Sequence, residues 1–219
     1  MFSAVLFDWD GTLVDTRQAI LLSFRRALGK VKVVVPDALI ERRIGIGAEQ
    51  TFREILQSRA VDFDDALIGS LVQEKIQAEI DLGDTITLLP GVHILLESLQ
   101  GRIPLALASM NNRAVIGHLL DKLDLRRFFD AVVTVEDISL FKPNPEIFLK
   151  CAALLGVSAK RCLVVEDSIF GVKAAKTAGM RCLAVSTGAY RETELAELNP
   201  DMLFPSLSDT NKVLRFILQ

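Results

Sequence analysis

The chain has 219 residues, half of them hydrophobic and 24% charged, with 25 Lys+Arg against 28 Asp+Glu for a net charge of −3. That is apolar material for one large domain, or a core with a smaller appendage, and with no basic block or stripe it argues against nucleic acid or an anionic membrane as the principal partner. Cys151, Cys162 and Cys182 are scattered without a CxxC pair, and no apolar run approaches the ~18 residues that cross a bilayer, so a reduced, cytoplasmic protein without signal peptide or membrane span is expected.

The first predicted strand is "AVLF" (4–7), and it runs straight into Asp8, Trp9, Asp10, Gly11 and Thr12. Asp and Gly are ordinary turn formers, but two mutually repelling carboxylates at the end of a core strand ask for a further reason. From Arg17 to about Gly83 the pattern is helical. Ile20, Leu21, Phe24 and Leu28 share one face, Pro36 and Asp37 read as a helix start, and Phe52, Ile55 and Leu56 form a second stripe. The longest stripe runs Leu67, Ile68, Leu71, Val72, Lys75, Ile76, Glu79, Ile80, a 3.6-residue period interrupted by charges. "VKVVV" (31–35) is the exception, either a short strand or an extended loop.

Beyond "LLPGV" (88–92) the rhythm changes. "IPLALAS" (103–109), "AVVTVE" (131–136), "CLVVED" (162–167) and "CLAVST" (182–187) are continuous apolar runs separated by helical patterns at 113–123, 145–155 and 168–178, the last ending at Gly179. Continuous hydrophobicity suits parallel strands covered on both faces, and the alternation predicts a Rossmann-like α/β sheet, helices on both faces, interrupted by an all-helical insert.

Sheets of this kind bind ligands at the carboxyl ends of their strands. Those ends carry Asp8 and Asp10, Ser109 with Asn111 just beyond, Lys142 in "FKPNPEIF", and Glu166 with Asp167. Four acids with one lysine would repel one another unless a cation were present, and oxygen ligands with high negative charge suit Mg²⁺ beside a phosphate. Plainer readings exist for each. Asp167 fits the N-cap of the next helix, Glu166 a strand-end charge, Lys142 a solvated lysine before Pro143, and Ser109 and Asn111 loop polar groups. Gly171, early in a helix, costs ~1 kcal/mol against Ala, which close backbone packing would justify.

The set "DWDGTLVDT", "ALASMN", "FKPNPEIF" and "LVVEDSIFGVKAAKTAGM" resembles, in order and spacing, the haloacid dehalogenase-like phosphatases across nearly the whole chain. The insert resembles the α-helical cap of the phosphoglycolate phosphatase and β-phosphoglucomutase branch. The resemblance implies a core of residues 1–14 and 85–219 and a cap of residues 15–84, hinged near Val14–Thr16 and Leu82–Leu89. It implies Asp8 as nucleophile, Asp10 as general acid and base, Ser109 and Lys142 on the phosphoryl group, and Asn111, Thr12 and Gly11 as substrate-binding. Mg²⁺ would sit on Asp8, the Asp10 carbonyl and Asp167, with Glu166 a further ligand, direct or through water. Thr12 would support this loop and lend its main-chain N–H to phosphate.

Where the mutases of that branch carry a histidine, a lysine and an arginine in the cap, this sequence has Ile20, Ile44 and Ala48. No lysine lies between Val33 and Leu71 for Schiff-base chemistry, and Asp10 is an acid that dehalogenases lack. The expected activity is therefore hydrolysis of a small phosphorylated metabolite, 2-phosphoglycolate leading on the "GIG" loop and sugar phosphates beside it, in a monomer or homodimer. Arg42, Arg43 and Arg53 flank that loop as candidate carboxylate ligands or as a solvated helix face. A sugar phosphomutase, or a non-catalytic binding protein on the same fold, are the alternatives. His93, His118 and Trp9 are expected to be structural.

Overall fold

A computed structural model describes residues 2–219. Strand β1 (Ala4–Phe7) is followed by a two-residue strand β2 (Val14–Asp15), then by four helices: α1 (Arg17–Gly29), α2 (Asp37–Glu41), α3 (Ala48–Ser58) and α4 (Asp65–Asp81). The chain returns through β3 (Thr87–Leu88), which pairs antiparallel with β2. It then alternates as α5 (Val92–Leu99), β4 (Leu105–Ala108), α6 (Arg113–Lys122), β5 (Ala131–Val133), α7 (Glu146–Leu154), β6 (Cys162–Glu166), α8 (Ile169–Thr177) and β7 (Arg181–Val185). Helix α9 (Glu192–Ala196), strand β8 (Met202–Phe204) and helix α10 (Thr210–Leu218) complete it.

The main sheet has six strands in the order β5-β4-β1-β6-β7-β8, every neighbouring pair parallel. Alternate residues of β1 point to opposite faces. Val5 and Phe7 join the core packed by Leu95, Ile116 and Val213, whereas Ala4 and Leu6 join that packed by Phe148 and Val172. Both faces being covered is why the strands read as unbroken apolar runs. The insert closes a third apolar cluster of its own around Phe24, Ile40, Phe52 and Leu71.

Helix α4 serves both bodies. Its amino-terminal half gives Ile68 and Leu71 to the insert's cluster, and its carboxyl-terminal half gives Ile76 to the core beneath the sheet. "VKVVV" forms no strand and leaves Val34 exposed. Strand β8 and the β2–β3 ribbon have no counterpart among the predicted elements, being too short to carry a periodic signal. No helix among the described residues is long and apolar enough to cross a membrane.

Candidate active site

Strand β1 sits between β4, reached next along the sheet, and β6, reached after the chain crosses to the other side. Its carboxyl end is therefore the switch point where such sheets open a crevice. The register sets the chemistry. Phe7 lies opposite Val165, so the next residues, Asp8 and Glu166, come out side by side, with the Asp8 amide donating to the Val165 carbonyl at 3.0 Å.

Ligand oxygens of Asp8, Glu166 and Asp167 all lie within 4.8 Å of one another, and all three residues are buried. Lys142, fully enclosed, donates to Asp8 Oδ1 at 2.6 Å and to Glu166 Oε1 at 2.7 Å. The other Glu166 oxygen accepts from the amides of Asp167 and Ser168, each at 2.9 Å. Asp10 goes its own way. Its Oδ1 accepts from the Thr16 hydroxyl at 2.8 Å, and it lines a small pocket of about 30 Å³ facing the helical insert.

Two glycines make room for these acids. A Cβ on Gly171 would lie 1.7 Å from Glu166 Oε1, and one on Gly188 would lie 1.6 Å from Asp167 Oδ2. The helical glycine thus has the packing reason that its place in the sequence asks for. The N-cap of α8 is Ser168, whose hydroxyl accepts from the Gly171 amide at 3.0 Å. Asp167 is relieved of the capping role open to it from sequence alone; it accepts from the Thr12 hydroxyl at 3.2 Å.

Burial dominates the electrostatics. It pushes the Asp8 carboxyl well above the usual range, Glu166 adds to this, and Lys142 opposes it. Asp167 is raised in the same way, by burial, then Glu166, then Asp8. Asp10 is pushed up to about 6, first by burial and then by the charge of Glu79 on α4, with Lys75 pulling the other way. Lys142 is held charged: burial lowers it, but Asp8 and Glu166 together raise it further. Three buried carboxylates answered by one ammonium leave an excess of negative charge, and an all-oxygen donor set fits a hard divalent cation.

Of the expected residues, Ser109 is fully buried at the end of β4, its hydroxyl accepting from the Asn111 amide at 3.0 Å. The Lys142 ammonium lies 3.4 Å from the neighbouring Ala108 carbonyl. Of the four acids expected to gather, three do, and the Asp10 carboxylate faces the pocket instead. The Thr12 amide, expected to face phosphate, donates to the Trp9 carbonyl at 3.3 Å, and the amide of Gly11, another expected substrate-binding residue, donates to the Val14 carbonyl at 2.9 Å. Asn111 turns to the insert, where it bonds Lys75 and Glu79. Trp9 is wholly buried in the core, and His93 is half-exposed beside Glu97. Arg43 lines the pocket, whereas Arg42 pairs with Glu194 and Arg53 with Glu49 and Asp65.

Three further contributors are absent from the set expected from sequence: Thr16, Lys75 and Glu79. The signal for the last two is the pair of charges interrupting an otherwise apolar helical stripe.

Residues 5–185 match the family model described as haloacid dehalogenase-like hydrolase. The fructose-1-phosphate phosphatase YqaB of Escherichia coli is 34% identical over 188 residues, covering 84% of this chain and 96% of that protein. The β-phosphoglucomutase of Bacillus subtilis is 31% identical over 191 residues, covering 84% of each. The crystal structure of a hydrolase from Pseudomonas syringae superposes with a TM-score of 0.90 at 25% identity, covering 98% of this chain and 99% of that one.

Proposed function

The chain belongs to the haloacid dehalogenase-like hydrolases, and from that membership we propose that it is a Mg²⁺-dependent phosphomonoesterase. It acts on a small phosphorylated metabolite, a sugar phosphate or 2-phosphoglycolate, by way of an aspartyl-phosphate on Asp8. The observation that carries this reading is the division of labour between two neighbouring aspartates: Asp8 lies in the acid cluster against Lys142, while Asp10 faces the pocket with its carboxyl near 6. Burial raises both carboxyls, so what separates them is place: Asp8 stands beside Lys142 in the acid cluster as the nucleophile, and Asp10 stands at the pocket as the acid.

Lys142 holds Asp8 Oδ1 and leaves Oδ2 to attack phosphorus. Asp10, anchored by Thr16, gives its proton to the departing alkoxide and later takes one from the water that attacks the aspartyl-phosphate. Ser109 binds a transferring phosphoryl oxygen through its O–H, since its own lone pair already accepts from Asn111. Asp8, the Asp10 carbonyl and Asp167, with Glu166 behind them, would hold Mg²⁺, which supplies charge screening between carboxylate and phosphate. The helical insert acts as a cap that excludes water and bulky substrates.

Hydrolysis is favoured over phosphomutase action by one feature. Ile20, Ile44 and Ala48, at the places where the mutases carry basic groups, all line the pocket, and its two cations, Arg43 and Lys75, are each paired with a glutamate rather than left for a second phosphate. Release of p-nitrophenol from its phosphate should require Mg²⁺. Asp8→Asn should abolish it, and Asp10→Asn should slow hydrolysis of a poor leaving group by about 10²–10⁴-fold. Unimpaired turnover by Asp8→Asn would remove the reading.

A further inference from the structure

The pocket between the insert and Asp10 carries two cations, and each has an acid of its own. Lys75 (4% exposed) and Glu79 (0%) lie one turn apart on α4 as a buried ion pair. Asn111 of the core clamps both, accepting from Lys75 at 2.9 Å and donating to Glu79 at 2.7 Å. Across the pocket, Arg43 pairs with Glu54 at 2.8 Å. Much of the insert's wall is apolar, including Ile20, Phe24 and Ile44.

A buried ammonium without a counter-ion is expensive, and a matched pair with satisfied hydrogen bonds much less so. Glu79 thus lets Lys75 stand in the pocket wall, and it also cancels the field that Lys75 would project inward. A leaving group bearing a carboxylate would lose its water there and meet no net positive charge in exchange. A polyol fares better. Its C–H surface packs on Ile20 and Phe24, and a hydroxyl accepts the one Lys75 N–H used by neither Glu79 nor Asn111.

Resting on the phosphatase reading, we infer that Glu79 is a specificity-determining residue: by neutralising Lys75 it selects an uncharged polyol leaving group, a sugar or sugar alcohol, over a carboxylate-bearing one. The test is the ratio of kcat/KM for 2-phosphoglycolate and 3-phosphoglycerate to that for glycerol 3-phosphate and the hexose phosphates, in Mg²⁺-loaded protein. The wild-type ratio should be well below one, and Glu79→Gln, which keeps the shape and removes the charge, should raise it by about tenfold or more.

A wild type that prefers the carboxylates, or a folded Glu79→Gln with an unchanged ratio, overturns the inference, and wild-type hydrolysis of p-nitrophenyl phosphate decides the phosphatase reading separately. Failure of the wild type on p-nitrophenyl phosphate removes the phosphatase reading and this inference with it. If Glu79→Gln does not fold, Glu79→Ala decides on the same ratio. A rise toward the acids of about tenfold or more supports the role, and an unchanged ratio refutes it.

Discussion

Among single residues, the site depends as much on missing side chains as on those present. Glu166 occupies the space over Gly171, and a methyl group there would lie 1.7 Å from its carboxylate oxygen. Gly171→Ala must therefore displace Glu166 from Lys142 and from the amides of Asp167 and Ser168. We expect it to cost about 1–3 kcal/mol of stability as an overpacked core does, and to weaken Mg²⁺ binding. Urea denaturation and a Mg²⁺ titration check the two effects, and wild-type values in both would contradict this packing. The acids and Ser109 are legible in sequence because they terminate apolar runs, and Lys142 because it stands in the "FKPNPEIF" stretch that the family resemblance singles out. Thr16 is not, because a threonine beyond a turn looks like any other until the fold brings its hydroxyl to Asp10.

Among the elements, α4 explains why charges interrupt an apolar stripe. Its first half packs inside the insert, its second half crosses toward the core, and Lys75 and Glu79 fall at the seam where the pocket opens. The period alone says which face a residue shares, not whether that face meets apolar side chains or a polar partner such as Asn111. The exposed side of α4 is free of such demands. A methyl group added to Gly69 would have nothing within 4 Å, and the glycine costs helix stability, so Gly69→Ala should raise stability by up to ~1 kcal/mol with kcat/KM unchanged. Thermal unfolding and an activity assay on one preparation test this, and a fall in stability would mean that the outer face of α4 is not free.

For the whole molecule, the buried acid cluster links stability to pH and to metal. Asp8, Asp10 and Asp167 all have raised folded-state carboxyls, that of Asp10 near 6 against an ordinary 3.8. Between those limits the folded state binds more protons than the unfolded chain, so stability declines as pH rises. For Asp10 the contribution is present below about 3.8 and lost as pH passes about 6, a change on the order of 3 kcal/mol; Asp8 and Asp167 move the same way. Metal-free protein should accordingly have a lower Tm at pH 8 than at pH 5. Mg²⁺ should raise Tm more at pH 8, where protons no longer compete for the carboxylates. A Tm in EDTA that climbs steadily from pH 5 to 8 would show that these acids are not buried together.

Local patterns in the chain suffice for the sheet class, the helical insert and the acids and serine at the strand ends, because continuous apolar runs, helical periods and abrupt changes to Asp, Glu and Ser are visible within a few residues. It took the folded arrangement to establish that Glu166 and Asp167 join Asp8 while Asp10 turns to Thr16, that Ser168 rather than Asp167 caps α8, and that Lys75 and Glu79 face Asn111. Those outcomes depend on strand register and on how the insert seats against the core. Both join residues far apart along the chain, and no local pattern encodes them.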